Sequence, residues 1–223
     1  MRAVRISFLA VSVMVLGMLP TMNAQVRAQE APAATAAATA PQVPPEVTQI
    51  VAKQFGGCFQ IATERSPIKV QYLHPVVEPW LTHFVTDLDG DGVEDLVVVA
   101  RCNDPLIGAA DYDYTVVDPY FASNGYGNPR ITAQFSSGDP GRNNLVLVIL
   151  GSGPEGWKAE KPKAKWVFIN LPFDHIASSH VILGKKKKER KLAAVGLEEN
   201  EDGGASVVFW DGKHWRWQDV TGH

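Results

Sequence analysis

Asp87-Leu88-Asp89-Gly90-Asp91-Gly92-Val93-Glu94-Asp95 sets carboxylates at relative positions 1, 3, 5 and 9, with a glycine at position 6. Acidic side chains alternating through a tight loop turn their oxygens toward one point, as a chain does when it wraps a calcium ion. Asp87, Asp89, Asp91 and Asp95 are therefore the candidate side-chain ligands. Val93, at position 7, would contribute its backbone carbonyl, for which the side chain is irrelevant. Gly92 admits the positive φ of a sharp turn. Four acidic groups this close repel one another, and a bound dication converts that repulsion into attraction. The pattern points to Ca2+ as a cofactor and to no particular reaction.

The flanks separate three kinds of protein that share these opening residues. A helix–loop–helix calcium hand needs a bidentate Glu at position 12. Here that position is Val98, inside the β-branched run Leu96-Val97-Val98-Val99-Ala100, which reads as a strand. Phe84-Val85-Thr86-Asp87-Leu88-Asp89-Gly90 resembles the opening motif of haloacid-dehalogenase-type phosphatases. That resemblance would make Asp87 a phosphoryl-accepting nucleophile and Asp89 an acid/base. The family expects Thr or Val where this chain has Asp91, and a helix where it has an apolar run. The stretch 82–100 most resembles the calcium loops of FG-GAP and VCBS-type repeats, in which such a loop runs straight into an apolar strand. The resemblance implies calcium ligation by Asp87, Asp89, Asp91, the Val93 carbonyl and Asp95. It implies no propeller, since propellers carry several copies and this chain has one. The plain alternative is a solvated Asp-Gly turn with no ion.

Other residues capable of chemistry lack a partner pattern. His74, His83, His175, His180 and His214 fall at no metal-ligand spacing. Asp174-His175 invites a triad reading, but no Gly-x-Ser-x-Gly elbow accompanies it. Gly151-Ser152-Gly153 reads as a turn, and Ser178-Ser179-His180 is too common a string to carry weight. No catalytic residue is nominated. Near the C-terminus, Asp211-Gly212 reads as a two-residue hairpin turn pairing Trp210 with Lys213 and Val208 with Trp215. Trp210, Val208, Trp215 and Trp217 then share one face, as a sugar-stacking platform or, more plainly, as a core face. Residues 104–142 form a long irregular stretch whose Tyr112, Tyr114, Tyr120, Phe121 and Tyr126 would line a groove or pack the stretch onto a sheet. The basic run Lys185–Lys188, with acidic residues close by, reads as a solvated turn.

The elements that must hold the loop are those of a mainly β (α+β) domain. Arg2 and Arg5 before the apolar stretch Ile6–Leu19 resemble a secretory signal over residues 1–24, with cleavage near 24 or 28. Residues 25–44, rich in Ala, Pro and Thr, read as a flexible linker, and 45–223 as one domain. Without Arg2 and Arg5 the chain carries 19 basic against 24 acidic residues, a balance that argues against general nucleic-acid binding. Export would permit a disulfide between the two cysteines, Cys58 and Cys102. Pro45–Phe55 reads as one short helix with Val47, Ile50, Val51 and Phe55 on its apolar face. Ten strands are expected after it as antiparallel meanders, at 68–73, 81–86, 96–101, 114–117, 145–150, 166–171, 181–183, 191–197, 205–210 and 213–218.

Together these readings describe a secreted or periplasmic protein with one structural Ca2+, serving as a binding or scaffolding module. Its partner would be an extracellular or periplasmic protein or glycan, with no stable membrane span after processing. The alternatives are a metal-dependent hydrolase with Asp87 as nucleophile, and a glycan-binding module using Trp215 and Trp217.

Overall fold

In the computed structural model, the described residues are 42–64, 81–126, 129–131, 144–173, 175–183, 190–198 and 205–220, all within the unit Thr39–His223. The expected signal segment, most of the linker, the strand expected at 68–73 and the run Lys185–Lys188 lie outside them. No helix among the described residues is long and apolar enough to cross a membrane.

Helix α1 (Pro45–Phe55) forms as its pattern predicts. Pro45 sits in the first turn, and Val47, Val51 and Phe55 are buried along one stripe. Gly56 ends the helix at φ 84°, its N–H donating to the Ala52 carbonyl at 3.1 Å. Two sheets follow. The first contains β1 (Gln60–Ile61), β2 (His83–Thr86), β3 (Asp95–Arg101), β4 (Thr115–Val117), β5 (Leu145–Leu150) and β6 (Ala164–Phe168). Its strand order is β1-β3-β5-β6-β4, and β2 shares with β1 the outer edge of β3. The second sheet is an antiparallel meander of β7 (His175–Leu183), β8 (Arg190–Glu198), β9 (Ala205–Trp210) and β10 (Trp215–Asp219).

The layers are helix, sheet, sheet. Leu96, Val98, Leu145, Leu147, Ile149 and Val167 pack with Val47, Val51 and Phe55 of α1 on one face of the first sheet. Val97, Val99, Val146, Val148 and Phe168 point the other way, onto Ile176, Val195, Leu197, Val208 and Trp215. β3 and β5 are thus buried on both faces, which is why they read as unbroken apolar runs rather than alternating ones. Each fully buried Leu or Val contributes about 1.5–3 kcal/mol. Cys58, just after α1, is bonded to Cys102, just after β3, with the Cα atoms 5.3 Å apart. Closing a loop of that length is worth about 4 kcal/mol in the chain-entropy model.

Three expectations need correction. The arrangement is not antiparallel throughout: β4 pairs parallel with β6, because the chain runs through β5 before returning to β4's side. The long stretch after Asp104 holds, besides β4 in place of the strand expected at 114–117, an unexpected helical turn, Pro119–Phe121, capped by Asp118. Finally, the last hairpin is shifted by two residues, with Trp210 facing Trp215 and Val208 facing Trp217. Asp211 causes the shift. Its Oδ1 accepts from the N–H groups of Lys213 and His214, both at 2.8 Å, so four residues rather than two make the turn. A shift of two preserves parity, and the tryptophans still share a face.

Candidate metal centre

Thr86 and Asp95 are paired across β2 and β3, so the acidic segment is the connection of a hairpin whose second strand is the buried β3. The strand–loop–strand context holds. Neither a helical calcium hand nor a phosphatase-type helix follows the loop, which removes the condition on which both of those resemblances depended.

Asp87 organises the turn. Its Oδ1 accepts from the N–H groups of Gly90 at 2.8 Å and Asp91 at 3.1 Å, and its Oδ2 from Gly92 N–H at 2.8 Å. Gly90 (φ 76°) and Gly92 (φ 84°) take the left-handed conformations that let successive amides point inward. Asp91 Oδ1 accepts from the Val93 N–H at 2.9 Å, leaving Val93 half-buried at position 7. The root of the loop is dry. Leu88 is 1% exposed and sits in the inter-sheet core, while Asp95, also 1% exposed, ties both sides together. Asp95 Oδ2 accepts from Leu88 N–H and Oδ1 from Gly151 N–H, each at 2.7 Å. Burial pushes the Asp95 carboxyl up to about 6, and the negative charges of Asp89 and Asp87 add to the rise against those two hydrogen bonds.

One oxygen each from Asp87, Asp89 and Asp95 lies within 4.8 Å of the others. Three of the four predicted carboxylates therefore converge. Asp91 does not join them: its Oδ2 lies 2.7 Å from Lys163 Nζ, which also lies 2.6 Å from Asp89 Oδ2. The hydrogen bond from Lys163 holds the Asp91 carboxyl below its ordinary range, and the same contacts push Lys163 up. The donors fit a hard, oxygen-seeking dication. Each carboxylate oxygen that accepts one N–H retains a second lone pair, and a cationic ammonium is already drawn to the cluster.

Sequence reasoning missed two participants. Lys163 stands 72 residues beyond Asp91, in the unremarkable run Lys161-Pro162-Lys163-Ala164-Lys165, and no local signal marks it. Gly151 looked like a turn residue, but it donates to Asp95 and has no space for a side chain: a Cβ there would drive into the Glu94 carbonyl oxygen.

The remaining candidates disperse. Trp215 is 2% exposed, in ring contact with Phe168 and Trp210, and its indole N–H has no acceptor among the described residues. Trp217 is half-buried, donates to Ser206 Oγ at 3.0 Å and meets the Tyr120 ring edge-on. The glycan platform required both rings to be exposed, and Trp215 is core. Tyr114 is buried and packs against Phe55 and Phe59, with its single hydroxyl proton shared between the Ile107 carbonyl at 2.7 Å and the Pro105 carbonyl at 2.9 Å. His175 Nε2 lies 2.7 Å from Glu198 Oε2 across β7 and β8, while Asp174 lies outside the described residues. No histidine joins the acidic cluster among the described residues. Comparison with known proteins found no matching family model, no matching curated protein and no matching solved structure.

Proposed function

We propose that this chain is an exported calcium-binding module in which one Ca2+ braces the β2–β3 hairpin, leaving its surfaces to bind or scaffold other molecules outside the cytoplasm. The convergence of Asp87, Asp89 and Asp95 at the root of a core strand carries the reading. Asp91 and the Val93 carbonyl would complete an all-oxygen set of the kind calcium takes. Such an ion would be structural, because its ligands come from one short segment and no histidine joins them among the described residues. Export is supported by the apolar stretch Ile6–Leu19 and by the Cys58–Cys102 bond, which persists in oxidising compartments.

A thermal melt with EGTA, followed by calcium, magnesium or manganese, tests the proposal. An ion that binds only the folded state stabilises it by about 2.7 kcal/mol at a hundredfold excess over its Kd. A calcium-selective rise in Tm that Asp89→Ala abolishes is the expected result. Asp89→Ala should also lower the Tm in EGTA, since it strips Lys163 of one partner. A wild-type melt unmoved by excess calcium would sink the reading.

A further inference from the structure

We infer that Lys163 is a built-in counter-cation, which holds the acidic loop when no metal is bound and which a divalent ion must displace. The second half of this inference rests on the calcium reading; the first does not.

The Asp89 side chain is only 4% exposed, and a carboxylate so removed from water needs a positive partner. Lys163 supplies one, bridging Asp89 Oδ2 at 2.6 Å and Asp91 Oδ2 at 2.7 Å. The bridge is anchored at its base. The Lys163 N–H donates to the Leu150 carbonyl at 2.9 Å, and the next residue along, Gly151, donates to Asp95. The end of β5 thus holds the loop twice, once through a buried carboxylate and once through an ammonium. The lysine side chain remains 49% exposed, so its flexible stem can swing into solvent without opening the core.

A dication ligated by Asp89 would stand close to that ammonium and repel it. Asp91, the one predicted ligand turned away from the trio, is the residue Lys163 retains. Departure of the lysine would therefore free the fourth carboxylate at the moment the ion needs it. The loop then trades one cation for another instead of folding from a repelling state, and its calcium affinity is lower than the carboxylates alone would give.

The test is a calcium titration by calorimetry, with melts in EGTA and in calcium, on the wild type and on Lys163→Met, Lys163→Gln and Lys163→Arg. The inference expects Met and Gln to lower the Tm in EGTA, to bind calcium at least tenfold more tightly, about 1.4 kcal/mol, and to gain more Tm from calcium than the wild type does. Arg keeps the charge and should stay within about threefold of the wild type, since it retains the competition. A Met variant that folds only with calcium supports the inference in its strongest form. Equal affinities for wild type, Met and Gln would overturn the competition while leaving the calcium reading standing. Tighter binding by Arg to the same degree as Met would overturn it too, because charge would then not be the cause. If none of the four binds calcium, the calcium reading fails and the displacement with it, while a lowered Tm of Met and Gln in EGTA still establishes the counter-cation.

Discussion

The acidic loop and the tryptophan seam are both built on a spacing of two, Asp87-Asp89-Asp91 in one and Trp215-Trp217 facing Trp210 and Val208 in the other. In a strand, that spacing places side chains on one face; through a turn with left-handed glycines, it gathers them around a point. The seam resolves into core. Trp166, Phe168, Trp210 and Trp215 meet ring to ring between the sheets, and the Trp215 N–H goes without an acceptor among the described residues. The loop resolves the other way, with its amides turned toward its own carboxylates and its cluster drawing a cation. Apolar rings at regular spacing do not tell core from platform, because both demand the same residues. Carboxylates at regular spacing do discriminate, because a core does not take them unless something answers their charge.

The largest effect that would break this contrast lies in the seam. Trp215→Ala should cost about 3–5 kcal/mol in denaturant unfolding, as large aromatic truncations in a core do. The rise in Tm that the calcium proposal expects should survive, since the ring lies in a different sheet from the loop. Trp215→Phe should cost much less, as it keeps most of the bulk and removes an unanswered donor. A Trp215→Ala protein as stable as the wild type would return the ring to the surface and revive the platform.

Next in size is the junction between loop and sheet. A Cβ at Gly151 would strike the Glu94 carbonyl oxygen and come within 2.7 Å of the Gly156 backbone carbon, and neither is a yielding side chain. Gly151→Ala should therefore destabilise by about 1–3 kcal/mol, the range for forced overpacking. It should weaken calcium binding as well, because the shift would pull the Gly151 N–H off Asp95. Loss of stability with calcium affinity unchanged would show that the loop does not depend on the end of β5.

Where reading the chain succeeded follows from the same physics. β3 and β5 were legible because burial on both faces leaves only apolar residues, and α1 because its stripe, proline start and glycine stop agree. β7 was largely missed at its start, where Ser178, Ser179 and His180 occupy a stretch with little burial to enforce alternation. The parallel β4–β6 pairing depends on chain return over dozens of residues, which no local pattern encodes. In the candidate site, the convergence of Asp87, Asp89 and Asp95 was legible because their spacing is itself the geometry, while the turning of Asp91 to Lys163 was not. Lys163 and Gly151 were not, since each acts across the sheet on a residue more than fifty positions away.

The smallest effect sharpens the comparison to single carboxylates. Asp211 and Asp95 each accept two backbone N–H bonds, yet they shift in opposite directions. Asp95 is buried beside other anions and rises to about 6. Partial burial also pushes Asp211 up, but the Arg216 guanidinium, with Nε 2.7 Å from Oδ2, and the two turn amides outweigh it and hold the group down to about 2. A carboxyl depressed on folding stabilises above its unfolded value near 4, and that contribution disappears as pH falls toward 2. Asp211→Asn keeps an oxygen for the turn amides while removing the charge. It should lower the Tm at pH 7 by an amount equivalent to less than about 1 kcal/mol, the scale of an exposed ion pair. The gap between wild type and variant should stay level from pH 7 to about pH 4.5 and then close toward pH 2. A gap that persists undiminished at pH 2 would mean that Asp211 works through turn geometry alone. The hairpin carboxylate would then differ from the loop carboxylates in its use of charge as well as in its place.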